Sequence, residues 1–421
     1  MVKKVKIINI MCHPPAYELY YKDPRPEISW DTPDGKWVGI WGYDWPDLIG
    51  KEILKLTDEF KYEVWQPDLR ADKIYSYTFN NGLIHKLFPA KTKKKLHGVK
   101  LVNESYSTQM MQKLKEQSKN EKLIINLHGD ILLFKDLLII LGNSPVVVTY
   151  HGVIHLPFTQ LLSYTKNIPS KLNHIIDHFW LKKNLNKIDY ITYQNDTNIN
   201  FFRKNYKGVL QKITMGCDFS FWQSQNDQPA RKELGLPEDK TIFFTACNLT
   251  ENKQINKLIS VFTELSDKYN FLLIIAGHGI KEYESYLKNL SSKLLRKNQI
   301  KFVGYIRDKN LINYYNACDF FITVSKQEGG PISAAQAFAC KVPVISTKTG
   351  NTAELMQQYN CGCLLDIYDH NQWREKLEEI LQRKLEIKPM DREIAKQHYD
   401  WPNIAQKFID IYHELSKKYY P

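Results

Sequence analysis

One stretch, residues 325–355 (SKQEGGPISAAQAFACKVPVISTKTGNTAEL), constrains the fold of this chain more than any other. It is typical of a strand end followed by Glu328, two glycines (residues 329–330) and a short helix opened by Pro331, with the next buried strand at residues 342–346. Paired glycines let a backbone approach a ligand closely and adopt φ angles closed to other residues. Proline suits the first helical turn.

The start of such a helix favours a phosphate group. Its first N–H groups lack intrahelical acceptors, and the positive end of the helix dipole lies there. Glu328 stands just before this helix start, where its carboxylate could hold sugar hydroxyls. The stretch therefore predicts a nucleotide-sugar site.

Strand-like apolar runs alternate with helical periodicities along most of the chain, which predicts an α/β fold with parallel sheets. With 421 residues the chain is long enough for two or three domains. A polar, proline-containing segment at residues 223–240 predicts the boundary between a domain at 1–222 and a second at 223–400. An amphipathic helix at 401–421 ends the chain.

The cysteines and the amino terminus predict a cytoplasmic protein. The seven cysteines are odd in number and lie mostly in apolar runs, which favours reduced, buried thiols. The first strand follows Met1 too closely for a signal peptide, and charged residues interrupt the most apolar region, so no spanning helix is expected.

The net charge of +12 favours an anionic partner. Two basic regions, residues 86–100 and 172–187, predict peripheral contact with an anionic bilayer at the inner face of the plasma membrane. The alternative is that these lysines are simply solvated. Nucleic acid is not an expected partner, because no helix-turn-helix, RNA-binding or zinc pattern accompanies the charge.

Residues 13–45 form an unusually long segment between predicted elements, rich in proline, glycine, tryptophan and tyrosine. Its tryptophans, including Trp41 and Trp45, could stack on sugar faces or lipid, or could pack the segment onto its own domain. Trp41 and Tyr43 are the acceptor-binding candidates here.

Two histidines follow successive predicted strands: His128 in LHGD and His151 in YHGV. Ligands of open parallel sheets bind beyond the carboxyl ends of the strands, so both histidines are functional candidates. A lone histidine is more often structural, but two at neighbouring strand ends favour a function for at least one. Gly277 opens a short glycine turn at another strand end, which is a weak signal by itself.

The motif at 325–355 resembles the donor-site signature of family-4 glycosyltransferases, retaining enzymes of the GT-B fold. MGCD at 215–218, the Gly304 turn and the closing YDWPNIAQKFIDIY also resemble landmarks of that family in order and spacing. The resemblance covers roughly residues 215–414 and is thin before them, where His151 is the best match. It implies two Rossmann-like domains facing across a cleft, with the terminal helix packed back on the first.

The resemblance implies a role for each matching residue. The carboxyl-terminal domain would bind the nucleotide-sugar, the amino-terminal domain would bind the acceptor, and no metal or other cofactor would be needed. The implied catalytic residues are His151, Glu328 and Lys253. The implied donor-binding residues are Asn248, Gly277, Tyr305, Gly329, Gly330, Pro331, Ile332 and Gln336. His128 joins Trp41 and Tyr43 as an acceptor-binding candidate.

Three positions depart from the family pattern. Gln336 stands where the family has a second glutamate, Asn248 where it has an arginine, and Asn351 where it has a glycine. Asparagine at 248 removes a cation from the expected diphosphate site. Lys257 or Arg307 could substitute for that cation. Asparagine, the residue at 351, tolerates turn conformations.

The resulting expectation is a retaining glycosyltransferase that moves a sugar from a nucleotide donor, UDP favoured over GDP, to a glycan or glycolipid in surface polysaccharide synthesis. Two alternatives stay open: a nucleotide-sugar 2-epimerase on the same fold, and a catalytically weak or silent nucleotide-sugar-binding protein. The second is kept open by the residues at 248 and 336.

Overall fold

The chain forms two compact units in the computed structural model. The first unit is Met1–Ile213 together with Trp401–Pro421, and the second is Thr214–Asp400. The structure describes residues 4–11, 45–69, 71–97, 100–129, 131–151, 168–197, 199–224, 230–306 and 308–421.

The described residues of the first unit hold an eight-stranded sheet and a two-stranded ribbon. The strands are β1 Val5–Met11, β2 Phe60–Asp68, β3 Tyr75–Thr78, β4 Ile84–Pro89, β5 Lys91–His97, β6 Lys100–Tyr106, β7 Leu123–His128, β8 Val146–Thr149, β9 Tyr190–Tyr193 and β10 Val209–Lys212. The sheet order is β10-β9-β8-β7-β1-β2-β4-β3, parallel throughout except for the antiparallel pair β3–β4. Strands β5 and β6 pair antiparallel to each other.

The described part of the second unit holds a six-stranded parallel sheet. Its strands are β11 Thr241–Ala246, β12 Phe271–Ala276, β13 Ile300–Gly304, β14 Phe320–Thr323, β15 Val344–Thr347 and β16 Cys363–Leu365, in the order β13-β12-β11-β14-β15-β16. These strands are mostly buried apolar runs, as expected of a sheet covered on both faces, and two hydrophobic clusters provide the cover.

Helices connect the strands. They are α1 Trp45–Leu56, α2 Thr108–Asn120, α3 Lys135–Ile140, α4 Ile168–Asn184, α5 Asn200–Asn205, α6 Ala230–Glu233, α7 Ile255–Leu265, α8 Lys281–Leu290, α9 Ser292–Arg296, α10 Asp308–Ala317, α11 Ile332–Ala339, α12 Gly350–Gln358, α13 His370–Leu381, α14 Arg392–Tyr399 and α15 Trp401–Tyr419. The alternation of strand and helix confirms the predicted α/β class. No helix in the described ranges is long and apolar enough to cross a membrane.

Each sheet reverses its strand order beside its first strand. In the first unit the chain builds outward from β1 through β2, then crosses to the other side of β1 and continues from β7. In the second unit the same reversal separates β11 from β14. In sheets of this kind the crevice for a ligand opens at the reversal, beyond the carboxyl ends of the strands.

The terminal helix α15 packs on the first unit. Its buried apolar residues recur at helical spacing, and Phe408 and Tyr412 are fully buried among them. Phe408 packs edge-to-face on Trp45 at 5.5 Å between ring centroids, and the Tyr412 hydroxyl accepts a hydrogen bond from Asn126 Nδ2 at 3.1 Å. The last helix therefore shapes the interior of the first unit.

The division between the units precedes the expected boundary at 222/223 by nine residues. The cause is the MGCD segment and the aromatic residues after it, which belong to the core of the second unit. Cys217, Phe219 and Trp222 are all buried there, and the backbone N–H of Cys217 donates to the carbonyl of Tyr399 at 2.7 Å. The hydrophilic residues that follow suggested a hinge, but the chain has already entered the second core.

Candidate donor and acceptor sites

In the second unit, Glu328 and Lys253 form an ion pair beside the strand reversal. Glu328 follows β14, and its backbone N–H donates to Thr349 Oγ1 at 3.2 Å. Lys253 ends a 3₁₀ turn, Glu251–Lys253, in the connection from β11 to α7. Its ammonium contacts the Glu328 carboxylate, with side-chain exposures of 24% and 13%. The structure thus brings two predicted catalytic residues together from 75 positions apart.

Residues 329–331 lead from this ion pair into α11. Pro331 caps the helix instead of lying in its first turn, with φ −66° and ψ 112°, and Ile332 is the first helical residue. Neither Gly329 nor Gly330 has a positive φ, so unusual backbone angles do not explain this glycine pair. The close approach at Gly330 explains one of them, because a Cβ there would lie 2.9 Å from Asn351 Oδ1.

Asn351 lies buried beneath Gly330, in the first turn of α12. Its backbone N–H donates to the carbonyl of Gly329 at 2.9 Å. The positive φ at this turn, 73°, belongs to Gly350, and Asn351 is helical, so the tolerance of asparagine for turn conformations is not used at 351. Its side-chain Oδ1 and Nδ2 have no hydrogen-bond partner among the described residues. A buried amide without partners costs free energy that glycine would not.

Gln336 lies one helical turn further into α11 and is buried. The hydroxyl of Tyr315 lies 2.9 Å from both Gln336 Oε1 and the carbonyl of Ser333. A phenol has one proton, so it can satisfy only one of these acceptors at a time. The predicted ribose-reading residue is therefore already tied to a buried tyrosine.

The remaining donor-site candidates follow β11, β12 and β13 at the same edge of the sheet. Asn248 and Tyr305 are exposed. Gly277 has φ 128°, and a Cβ there would lie 1.8 Å from the carbonyl oxygen of Cys247, so only glycine fits. Its N–H donates to the carbonyl of Gly304 at 2.7 Å, which joins two of these loops.

Of the two substitutes for the missing arginine, only Lys257 lies among the described residues. Lys257 is directed away: its Nζ donates to the carbonyl of Ile367 at 3.2 Å and lies 4.9 Å from the ring centre of Tyr368. Arg307 lies outside the described residues. Among these candidates, Lys253 is the one whose ammonium contacts Glu328 in the described residues.

In the first unit, His128 and His151 are in direct contact at the strand reversal. Their rings stack with centroids 5.2 Å apart, and His128 Nδ1 lies 3.0 Å from His151 Nε2. His128 Nε2 lies 2.8 Å from Asn9 Oδ1, on β1. Burial lowers the pKa of His128 well below its usual value and that of His151 to about 4, so both imidazoles are neutral at pH 7.

Trp45 completes this cluster by packing on the histidines. It is buried, and its ring meets both histidines edge-to-face, at 5.5 Å from His128 and 4.6 Å from His151. Trp45 thus packs on its own unit, as one of the two alternatives proposed. Trp41 and Tyr43 lie outside the described residues, so their acceptor role stays a prediction.

Asn9 and Trp45 are contacts of the histidines that sequence reasoning did not assign. The signal for Asn9 was an amide among the apolar residues that follow Lys6 in the strand VKIINIM, since a buried polar side chain needs a partner. The described residues contain no group of three His, Cys, Asp or Glu side chains arranged to hold a metal ion. Burial raises the pKa of the Cys247 thiol, near the ion pair, to about 11, so it is protonated at neutral pH.

Comparison with known proteins agrees with this geometry. Residues 226–401 match the family model described as Glycosyl transferases group 1. The matched segment is less than half of the chain and includes residues 325–355. The match confirms the resemblance drawn from that stretch.

Curated relatives match over part of the chain. An uncharacterized glycosyltransferase of Methanocaldococcus jannaschii is 23% identical over 186 residues, which is 43% of this chain and 47% of that protein. A D-inositol 3-phosphate glycosyltransferase of Corynebacterium urealyticum is 24% identical over 224 residues, 50% of this chain and 52% of that protein. Each of these two matches spans about half of the relative's own length.

Solved structures match over nearly the whole chain. Sucrose-phosphate synthase from Thermosynechococcus elongatus has a TM-score of 0.70 at 15% identity, covering 98% of this chain and 100% of that one. HepE of Anabaena, in complex with UDP, has a TM-score of 0.64 at 14% identity, covering 98% and 100%. At these identities the likeness establishes the fold, which confirms GT-B.

The packing of Gly330 on Asn351 generates a stability prediction. Gly330→Ala should lower the free energy of unfolding by about 1–3 kcal/mol, because its Cβ would overpack the buried amide. In an Asn351→Gly background the same substitution should cost much less, since the obstructing side chain is gone. Urea unfolding of the wild type, both single variants and the double variant measures this coupling. Equal costs in the two backgrounds would contradict the assignment of Asn351 as the reason for glycine at 330.

Proposed function

We propose that this chain is a retaining glycosyltransferase that moves a sugar from a nucleoside-diphosphate donor to a glycan or glycolipid acceptor. The observation that carries the proposal is the Lys253–Glu328 ion pair at the start of the Gly329–Gly330 loop and α11, beside the strand reversal of the second unit. One side chain suits an anionic diphosphate and the other suits sugar hydroxyls.

The leaving group determines what these residues would do. Breaking the anomeric bond places negative charge on the diphosphate, so fixed donors directed there stabilise the transition state. Lys253 and the first N–H groups of α11 are such donors. Glu328 would hold hydroxyls of the transferred sugar. In the retaining route, the acceptor attacks from the leaving-group face and a diphosphate oxygen takes its proton.

The nucleoside would occupy the edge formed by the β12 and β13 loops. Exposed Tyr305 lies beside the proposed base position, and Gln336 beside the ribose. UDP is favoured over GDP as the nucleotide. HepE, which shares the fold, was crystallised with UDP and with UDP-glucose. No metal or other cofactor is part of this proposal, since Lys253 and the helix start would neutralise the diphosphate.

A basic surface of the first unit would bring the enzyme to a lipid-linked acceptor. Helix α4 exposes an apolar stripe of three residues at helical spacing: Leu172 at 53%, Ile176 at 58% and Phe179 at 64%. Lys183 is exposed on the same side of the helix, and α4 lies beside the basic strand β5.

We call residues 172, 176 and 179 the α4 stripe, and assign it to an anionic bilayer. Apolar side chains flanked by lysines are the composition of helices that lie in a membrane interface. A relative in Corynebacterium glutamicum, 22% identical over 55% of this chain, is named for a phosphatidylinositol monomannoside acceptor. The enzyme would then work in surface glycan synthesis, on the cytoplasmic face of the plasma membrane.

The second candidate is a silent nucleotide-sugar-binding protein. Asn248 in place of the arginine favours it, because one cation is missing from the proposed diphosphate site. A 2-epimerase is distinguished by its product, an isomerised sugar with no acceptor consumed.

Glu328→Ala should reduce sugar transfer by about 10²–10³-fold or more, because the transferred sugar loses its carboxylate contact. Release of nucleoside diphosphate from UDP- and GDP-sugars, with and without glycan acceptors, measures this. Circular dichroism and the unfolding midpoint should remain close to those of the wild type. Full activity in a folded variant would remove Glu328 from the site, and no release by the wild type with any donor would favour the silent protein.

Lys253→Ala should weaken UDP binding by about tenfold or more, measured by calorimetry, because the diphosphate loses its cationic partner. Lys257→Ala is the matched control, since this lysine lies one helical turn away and is engaged with Ile367 and Tyr368. The control should bind UDP within about twofold of the wild type. Equal losses in the two variants would indicate a general effect of positive charge.

The α4 stripe predicts binding to anionic vesicles. Ile176→Ser combined with Phe179→Ser should weaken binding to vesicles containing phosphatidylglycerol by roughly tenfold or more, because two large side chains no longer enter the interface. Ile139→Ser is the control: Ile139 is 63% exposed but lies on α3. Sedimentation with vesicles at low and at high salt separates the electrostatic contribution to binding from the apolar one. Identical binding by the double variant and the wild type would exclude the stripe as the contact.

A further inference from the structure

The histidine pair of the first unit lies beside a cluster of buried polar side chains. Asn9 and Asn126 are register partners on β1 and β7, and both are buried. Thr149 donates to Asn126 Oδ1 at 2.8 Å, and Thr192 donates to Thr149 at 3.0 Å. These side chains lie between apolar neighbours in four adjacent strands. The Asn9 side chain contacts His128 through Oδ1, and its Nδ2 has no hydrogen-bond partner among the described residues.

The direction of each hydrogen bond can be assigned along the contacts from Asn9 to His128 and from His128 to His151. Asn9 Oδ1 can only accept, so the proton between Asn9 and His128 belongs to His128 Nε2. His128 is neutral, and its Nδ1 is then a lone pair. The hydrogen bond of 3.0 Å to His151 Nε2 requires that His151 supply the proton. His151 Nδ1 is therefore left as an acceptor.

Packing holds both rings in these orientations. The His128 and His151 rings are stacked, and the buried ring of Trp45 meets both edge-to-face. Trp45 is itself held by Phe408 of α15. Burial keeps the pKa of both imidazoles below neutrality, so tautomers rather than charge distinguish their states at pH 7.

We propose that Asn9 and His128 are positioning residues that hold His151 in its Nε2–H tautomer, so that its Nδ1 accepts a hydrogen bond from a hydroxyl of the sugar substrate. This inference rests on the proposed function for the identity of the ligand. The tautomer itself depends only on the chain. A lone pair at this point selects a hydroxyl and disfavours a carboxylate, because an anion would meet no proton there.

The direct test reads the tautomer in the intact protein. Imidazole ¹⁵N chemical shifts distinguish a protonated from an unprotonated ring nitrogen, and a His151→Gln variant assigns the signals. At pH 7 the wild type should show His151 with Nε2 protonated and Nδ1 unprotonated. The reverse assignment would overturn the proposal, because it would mean that Asn9 donates to His128 through Nδ2.

Asn9→Asp should reverse the tautomer. A carboxylate beside His128 Nε2 favours the imidazolium, which then donates from Nδ1 to His151 Nε2 and moves the His151 proton to Nδ1. Thr192→Val is the matched control. It removes a buried hydroxyl that donates to Thr149 and leaves the contacts of the two histidines unchanged. It should leave the His151 tautomer unchanged. A reversal in the control, or none in a folded Asn9→Asp variant, contradicts the positioning role. Should Asn9→Asp fail to fold, the wild-type assignment decides alone.

Ligand additions test the role of the Nδ1 acceptor. A shift of the His151 Nδ1 signal with UDP-glucose, but not with UDP, assigns the hydroxyl to the donor sugar. A shift with methyl α-glucoside assigns it to the acceptor. A shift with neither overturns the ligand role. Calorimetry on the same samples separates the two proposals: absence of any nucleotide binding defeats the proposed function and leaves the wild-type tautomer as measured.

Discussion

The reversal of strand order beside the first strand of each sheet determines where chemistry can occur in this chain. Where two parallel strands are followed by connections that leave in opposite directions, their carboxyl ends cannot both be covered by helices. The residues that follow β11 and β14 supply Lys253 and Glu328, and the ends of β1 and β7 supply Asn9 and His128. Both polar clusters thus lie beside the strand reversal of their sheet.

The ion pair at the second reversal has an energetic consequence. Exposed pairs contribute about 0–1 kcal/mol, whereas losing one partner of a buried pair costs several times more. Lys253 and Glu328, at 24% and 13% side-chain exposure, lie between these limits. A diphosphate that recruits Lys253 must compete with Glu328, and a sugar that recruits Glu328 weakens that competition. In the proposed site, binding of the two halves of a nucleotide-sugar would therefore be coupled through one contact, and the effects of substituting either residue should not be additive.

The sequence predicted what is local and missed what is distant. Residues 325–355 contain a strand end, a glycine pair and a helix start in succession, so their local signals predicted the element order and the position of Glu328. Helix α15 was equally clear from its periodicity, and its predicted span of apolar residues matches Trp401–Tyr419. The contact of Tyr412 with Asn126 joins residues 286 positions apart, and no periodicity carries such information.

Glycine and asparagine show a second reason for the misses. Glycine is needed at 330 because the side chain of Asn351, 21 residues later, packs against it. The sequence could suggest a close approach at this glycine but could not identify Asn351 as the residue that approaches. The predicted boundary at 222/223 differs from the division between the units for a similar reason. A polar segment marks the end of a domain only if the residues before it stay in the first core. Cys217, Phe219 and Trp222 do not.

The departures from the family pattern compensate in charge. Asn248 removes one positive charge relative to that pattern, and Gln336 removes one negative charge, so the formal charge of the proposed donor site is unchanged. What is lost is the strength of individual contacts, because charge-assisted hydrogen bonds are about twice as strong as neutral ones. Gln336 retains its contact with Tyr315, and rotating its amide by 180° would let Nε2 donate to the phenol oxygen while Oε1 turns outward. The long-range field that attracts an anionic donor is thus preserved, while more of the local discrimination falls to Lys253.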